Sequence, residues 1–297
     1  IVCGETMKIN EIARNKKVTF SYEIFPPKPN SPVLSVYESL DKLSAQRPDF
    51  ISVTYGAGGS LVSNKTLVLS SYIQDRYNIP SMAHLTCINS SKQYILAVLE
   101  QLKANGVYNV LALRGDKTPD ITPAGDFNYA SELIEFIKNN SPEICISAAC
   151  YPEGHIDGGF EKDIQVMKDK YSCGAEHFIS QLFFDNSHFY RLMDRAAQLN
   201  INANIEAGIM PVLNKNQIER MVSMCGCSFP EKFRKMVERY QDDKSALLQA
   251  GINFATEQIT DLLSNDVKGI HLYTMNRPEV SEKINENVRY LVDYLNA

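Results

Sequence analysis

Val18-Thr19-Phe20-Ser21-Tyr22-Glu23-Ile24-Phe25-Pro26-Pro27 is a run of β-branched and aromatic residues that holds one carboxylate and stops on two prolines. Such residues favour a strand. The residues just after the strand separate two architectures. An open, doubly wound sheet that binds a dinucleotide carries G-x-G-x-x-G after its first strand. Here prolines occupy that place, and the nearest glycine cluster, Gly56-Ala57-Gly58-Gly59, lacks the spacing.

Beyond it, further β-rich runs at 50–55, 81–85, 107–113, 144–150, 177–182, 203–209 and 269–273 alternate with helical segments at 34–43, 65–74, 93–105, 130–139, 161–171 and 188–199. In the third of these segments Ile95, Val98, Leu99 and Leu102 share a face that would pack outside a strand layer, while Lys92 and Lys103 stay wet. Strand and helix alternating from end to end is the pattern of parallel βα units. Eight units in about 280 residues predict closure into a single-domain (βα)8 TIM barrel. Residues 1–16 read as an N-terminal extension or helix and 17–297 as the barrel. The stretch 213–263 exceeds one crossover, so two or three helices are expected there, broken at Gly226 and Pro230.

A formal net charge of -5 argues against a phosphate-backbone binder, which needs a concentrated surplus of Lys and Arg. The chain has no long apolar run, and its first six residues lack the basic flank of a signal peptide. It therefore reads as cytoplasmic, with no membrane and no nucleic-acid partner, and Met7 is a candidate natural start. Seven cysteines form no even spacing, which fits reduced thiols. Cys225-Gly226-Cys227 has no second half-site, and His84 and His155 stand on different loops, so no metal is expected.

A barrel gathers its chemistry where strands end at the carboxyl-terminal mouth. Those ends carry Glu23, Thr54, His84, Arg114-Gly115-Asp116, Tyr151 to His155, Gln181 and Asn276-Arg277. Polar residues also begin wherever a strand leaves a core, so one such position proves little. Glu23 is different, because it sits inside an apolar, aromatic strand where an unpaired carboxylate is costly. Apolar surroundings would keep it protonated and suited to general acid work, whereas a bond to a neighbouring loop would make it structural. Asp116 fits either a functional site or an ordinary Asx turn.

The motifs Tyr22-Glu23-Ile24-Phe25-Pro26-Pro27-Lys28, Ser52-Val53-Thr54-Tyr55-Gly56-Ala57, His84-Leu85-Thr86-Cys87 and Ala112-Leu113-Arg114-Gly115-Asp116 stand in order along the chain. Ala149-Cys150-Tyr151-Pro152-Glu153, Ser180-Gln181-Leu182-Phe183-Phe184-Asp185, Gly208-Ile209-Met210-Pro211-Val212 and Tyr273-Thr274-Met275-Asn276-Arg277 come after them. In order and spacing these eight resemble the methylenetetrahydrofolate reductase family, over nearly the whole chain. The resemblance implies a flavin-containing barrel that passes hydride from NADH or NADPH to FAD and then to the methylene carbon of 5,10-methylenetetrahydrofolate, giving 5-methyltetrahydrofolate. It assigns Glu23 as general acid on the folate nitrogen, Asp116 as the aspartate near flavin and pterin, and Gln181 and Arg277 as folate-binding residues. FAD contacts fall on Thr54, His84, Leu113, Arg114, Gly115, Tyr129, Ala130, Ala149, Tyr151, His155, Asp163 and Lys170.

Two positions depart from the family pattern. Lys215 stands where bacterial relatives often have an aromatic residue over the substrate, and Val166 where a polar flavin contact is common. NADH is the expected donor, since no arginine cluster awaits a 2′-phosphate. A homodimer or homotetramer is expected, and the adenosylmethionine-responsive regulatory domain of eukaryotic relatives is expected to be absent. The rival readings are a flavin-free folate barrel that transfers a methyl group to a corrinoid partner, and a non-enzymatic folate-binding barrel.

Overall fold

Along β1 (Thr19–Ile24), Phe20, Tyr22 and Ile24 alternate with Thr19, Ser21 and Glu23, and both sets are buried. Both faces of this strand are therefore covered, as in a parallel sheet wrapped by helices. A computed structural model describes residues 7–27, 33–55, 63–116, 125–156 and 158–297. Lys28, the Gly56-Ala57-Gly58-Gly59 cluster and the segment before Met7 lie outside the described residues.

The other strands are β2 (Ile51–Val53), β3 (Ser81–Thr86), β4 (Asn109–Leu113), β5 (Cys145–Cys150), β6 (His177–Ser180), β7 (Asn204–Ile209) and β8 (Gly269–Tyr273). Each pairs in parallel with the next, and β8 closes on β1 with Glu23 opposite Tyr273. The helices are α1 (Ile9–Asn15), α2 (Leu34–Ala45), α3 (Ser63–Tyr77), α4 (Lys92–Ala104), α5 (Ala130–Asn140), α6 (Phe160–Cys173), α7 (Asn186–Gln198), α8 (Lys215–Cys225), α9 (Glu231–Tyr240), α10 (Lys244–Ser264) and α11 (Pro278–Asn296). The expected TIM barrel is what the chain forms.

Between strands and helices lies an apolar layer into which β1 sends Phe20, Tyr22 and Ile24. From α4 it receives Ile95, Leu99 and Leu102, with Val98 half-buried. Lys103 is less wet than its pattern suggests, because Glu100 and Glu143 hold its ammonium at 2.6 and 2.9 Å. Inside the barrel, Phe50, Met82, Leu111, Cys145 and Ile179 fill the floor, and Ile9 closes it from below. The Ile9 amide donates to Asn109 Oδ1 at 2.9 Å, which fixes α1 across the amino-terminal end.

Three helices occupy the stretch 213–263, as expected. Gly226 caps α8 in the left-handed region at φ 66°, which costs glycine least, and Pro230 precedes α9. Phe233 of α9 stacks on Phe184 at 4.2 Å, tying this insertion to the mouth. The observed β2 and β6 are shorter than the runs at 50–55 and 177–182. After Ser180 the Gln181 side chain takes the Leu182 amide at 2.8 Å, so the chain turns away from the sheet.

Candidate functional site

Strand alternation turns Thr19, Ser21 and Glu23 inward, and closure of the barrel sets them against polar residues of β6, β7 and β8. Glu23 occupies the upper position. Its Oε2 lies 3.6 Å from His84 Nε2 on β3 and 3.9 Å from His271 Nε2 on β8. Its carboxylate accepts no hydrogen bond among the described residues, so the alternative of a structural Glu bonded to a loop is not what is observed. Nor are its surroundings the apolar pocket expected. Two imidazoles and the buried Tyr273 phenol face it.

Burial lowers His84 to about 4, against the pull of Glu23, so its imidazole is neutral at pH 7. Among the described residues the buried His84 Nε2 has no hydrogen-bond partner, and neither has Thr54 Oγ1. Burial also raises Tyr273 well above the ordinary phenol, helped by Glu23 and Cys150. Its hydroxyl donates to Ser180 O at 2.6 Å, bracing β8 against β6 across the mouth.

The ends of β4 and β5 form a second group. Lys170, buried in α6, sends Nζ to Ala149 O at 2.8 Å and lies 5.8 Å from the centre of the Tyr151 ring. Burial lowers its affinity for a proton, and Cys150 and Asp163 partly restore it. Tyr151 packs edge-on to His155 at 5.2 Å, and burial together with Asp163 pushes its phenol up to about 12. Asp163, in the first turn of α6, accepts the His155 amide. Arg114 joins this field, acting electrostatically on both Tyr151 and Lys170. Gly115 stands at φ 80°, and a Cβ there would lie 2.9 Å from Thr86 Cβ, so a side chain is excluded where backbone must pass closely. Cys87 Sγ bridges Arg114 O and Tyr129 O at 3.7 and 3.6 Å, which brings the amino terminus of α5, with Tyr129 and Ala130, beside this group. Leu113 ends β4 directly before Arg114.

The remaining expected residues are less closely gathered. Gln181 comes directly after β6, its amide donating to Cys150 O at 2.7 Å. Asp116 is exposed at the β4 end, with its backbone carbonyl 3.4 Å from Asn89 Nδ2. Arg277 is half-exposed and paired with Glu279, so engaging a substrate there means exchanging that partner. Lys215 opens α8 and donates to Gln241 Oε1 at 2.7 Å, and Val166 is half-buried on α6. Among the described residues no group of three or more His, Cys, Asp or Glu is placed to hold a metal ion. Among them, too, no helix is long and apolar enough to cross a membrane.

Sequence reasoning passed over a layer beneath Glu23. Glu206 on β7 is fully buried and accepts from Thr19 Oγ1 at 2.5 Å and Ser21 Oγ at 2.6 Å. His177 Nε2 lies 3.4 Å from its Oε1, and His271 Nδ1 3.9 Å from its Oε2. Burial alone would raise this carboxyl, but His177, His271 and Ser21 together hold it below the usual carboxylate range. The sequence carries only part of the signal. Glu206 is a charge between Ile205 and Ala207, but the residues that close on it lie on other strands.

The chain is similar to several known proteins. The profile of the family described as Methylenetetrahydrofolate reductase matches residues 8–289. Methylenetetrahydrofolate reductase (NADH) 1 of Arabidopsis thaliana is 33% identical over 284 residues, covering 91% of this chain and 48% of that protein. The 5,10-methylenetetrahydrofolate reductase of Escherichia coli is 32% identical over 269 residues, 90% of each chain. The chain thus spans about half the length of the plant relatives it matches and most of the bacterial one. Among solved structures, an uncharacterized protein from Clostridium thermocellum that binds two copies of 5-methyl-5,6,7,8-tetrahydrofolic acid has a TM-score of 0.71 at 13% identity. The match covers 96% of this chain and 98% of that one, and the likeness is one of fold.

Proposed function

The chain belongs to the methylenetetrahydrofolate reductase family, and from that membership we propose that it reduces 5,10-methylenetetrahydrofolate to 5-methyltetrahydrofolate with NADH, using bound FAD. The observation that carries the reading is Glu23, a carboxyl turned into the barrel mouth that accepts no hydrogen bond from the described residues and faces the Nε2 of a neutral His84, which has no partner among them either. A buried group left so is held for a ligand.

The chain's residues fit a flavin dinucleotide. Arg114, Lys170 and the amino terminus of α5 supply positive potential for the pyrophosphate. Asp163 offers a carboxylate to ribose hydroxyls, Tyr151 an aromatic face, and the buried Thr54 Oγ1 and His84 Nε2, without partners among the described residues, can meet polar atoms of the ring system. The chemistry supplied by FAD held there would be hydride relay between the nicotinamide and the methylene carbon.

The chain's own work is to position folate and move a proton. Glu23 gives its proton to the folate nitrogen that leaves the methylene carbon, which opens the five-membered ring to an iminium ready for hydride. Asp116 stabilises that cation, and Gln181 and Arg277 orient the folate. Proline-ended β1 places Glu23 at the mouth, and Tyr273 closes the wall beside it. NADH as donor rests on the missing arginine cluster, and we retain a homodimer or homotetramer as the assembly.

Anaerobic spectroscopy tests the proposal. Purified protein loaded with FAD should show bound-flavin absorption, bleach with NADH and recover its colour with methylenetetrahydrofolate. Failure to bind flavin, with folate binding intact, would overturn the reductase reading in favour of a flavin-free barrel.

A further inference from the structure

Beneath the proposed acid, the hydrogen bonds leave little freedom in where protons sit. Ser21 Oγ lies 2.6 Å from Glu206 Oε2 and 2.7 Å from His271 Nδ1. It has one proton for two close partners. Glu206 is an ionised carboxylate with no proton of its own, and two oxygens at 2.6 Å need a hydrogen between them. The Ser21 proton therefore goes to Glu206, in preference to Ile270 O at 3.3 Å. Ser21 Oγ must then accept at its other side, and the donor is His271 Nδ1–H.

A neutral imidazole protonated at Nδ1 is bare at Nε2. That nitrogen lies 3.3 Å from Ser52 Oγ, which can donate to it, and 3.9 Å from Glu23 Oε2. Phe50, stacked on the ring at 5.9 Å, resists its turning over. The other groups facing Glu23 are His84 from β3 and Tyr273 from β8, while His177 turns to Glu206 and to Ser147 Oγ, 3.0 Å from its Nδ1.

We propose that Glu206, acting through Ser21, is a positioning residue that fixes His271 as the Nδ1–H tautomer, so that a lone pair and not an N–H faces Glu23. The opposite tautomer would aim Nε2–H at Glu23 and bind its ionised form, holding it in the state that has no proton to give. The lone pair offers the ionised form nothing and leaves the acid proton available for transfer. The tautomer follows from the hydrogen bonds and the charge on Glu206, whereas its kinetic consequence rests on the folate-reductase reading.

Histidine-labelled protein, holding only five histidines, allows a direct reading by two-bond 1H–15N spectra, with His271 assigned by its loss in His271→Gln. Wild-type protein should show His271 as the Nδ1–H tautomer near pH 7. An Nε2–H tautomer or a doubly protonated ring would overturn the proposal, and this measurement needs no variant of Glu206 to fold. Glu206→Met removes the claim on the Ser21 proton, which should then turn to Nδ1 and move the ring proton to Nε2. In that variant flavin reoxidation by methylenetetrahydrofolate should slow by at least about tenfold while reduction by NADH changes less than about twofold. A flipped tautomer with unchanged reoxidation would overturn the positioning role. If the wild type itself neither binds flavin nor turns over folate, the functional reading fails while the tautomer result stands by itself.

Discussion

Glu23 and Glu206 are two carboxylates in one barrel interior, one above the other, and they are treated oppositely. Glu206 takes hydroxyl donors on both oxygens and has an imidazole 3.4 Å from one of them, with no exposed surface. Glu23, with 8% exposure, accepts nothing from the described residues and has two imidazoles just beyond bonding distance. Full satisfaction is how a buried charge serves the fold, because leaving its partners unpaired would cost more than the pair itself contributes. Incomplete satisfaction at a mouth is how a group is held for a ligand. The same residue type is thus part of the frame in the lower layer and part of the chemistry in the upper one.

The contrast between the two should be plainest in stability. Glu206→Ala takes the close acceptor from Thr19, leaves His177 without its carboxylate and opens a void, so urea denaturation should show a loss of about 3–5 kcal/mol. Glu23→Gln removes no hydrogen bond to the described residues and should change stability by less than about 1 kcal/mol. Similar losses in both variants would erase the distinction between the layers.

A second effect belongs to the upper layer. His84 is buried neutral, with its folded value near 4 against an ordinary 6.5, so the unfolded chain binds the extra proton between those values. Stability is complete above about pH 6.5 and declines by about 3 kcal/mol as pH falls toward 4. His84→Gln should flatten that part of the stability profile; an unchanged slope would mean that other groups produce it.

The smallest effect concerns the rim. Asp116 is exposed, so its field is screened, and Asp116→Asn should slow reoxidation by folate only about tenfold more than reduction by NADH, below the loss typical of a buried stabilising donor. Equal slowing of both would remove Asp116 from the folate step.

How much of this was legible in the sequence depends on the same two layers. The barrel was readable because β1 ends on prolines and eight runs alternate with helices. Glu23 stood out as a charge in an apolar strand, and Arg114, Tyr151, Asp163 and Lys170 came in as a set through family resemblance. Glu206, His177 and His271 did not stand out. Glu206 and His271 alternate with apolar neighbours and His177 follows Glu176, as on half-solvated strands, and only closure of the sheet turns that face inward and makes the three meet. Arg277 was placed by motif, but its pairing with Glu279 two residues on depends on the local path at the start of α11.

If Glu23 is left unsatisfied in order to protonate folate, anaerobic stopped-flow on Glu23→Gln will show it. Hydride transfer from nicotinamide to flavin needs no proton from this residue, so reduction by NADH should proceed at near the wild-type rate. Ring opening does need it, and reoxidation by methylenetetrahydrofolate should fall by about 10³-fold or more, toward the upper end for general acid catalysis. Reoxidation at more than about a tenth of the wild-type rate would contradict this role, because another group would then be supplying the proton.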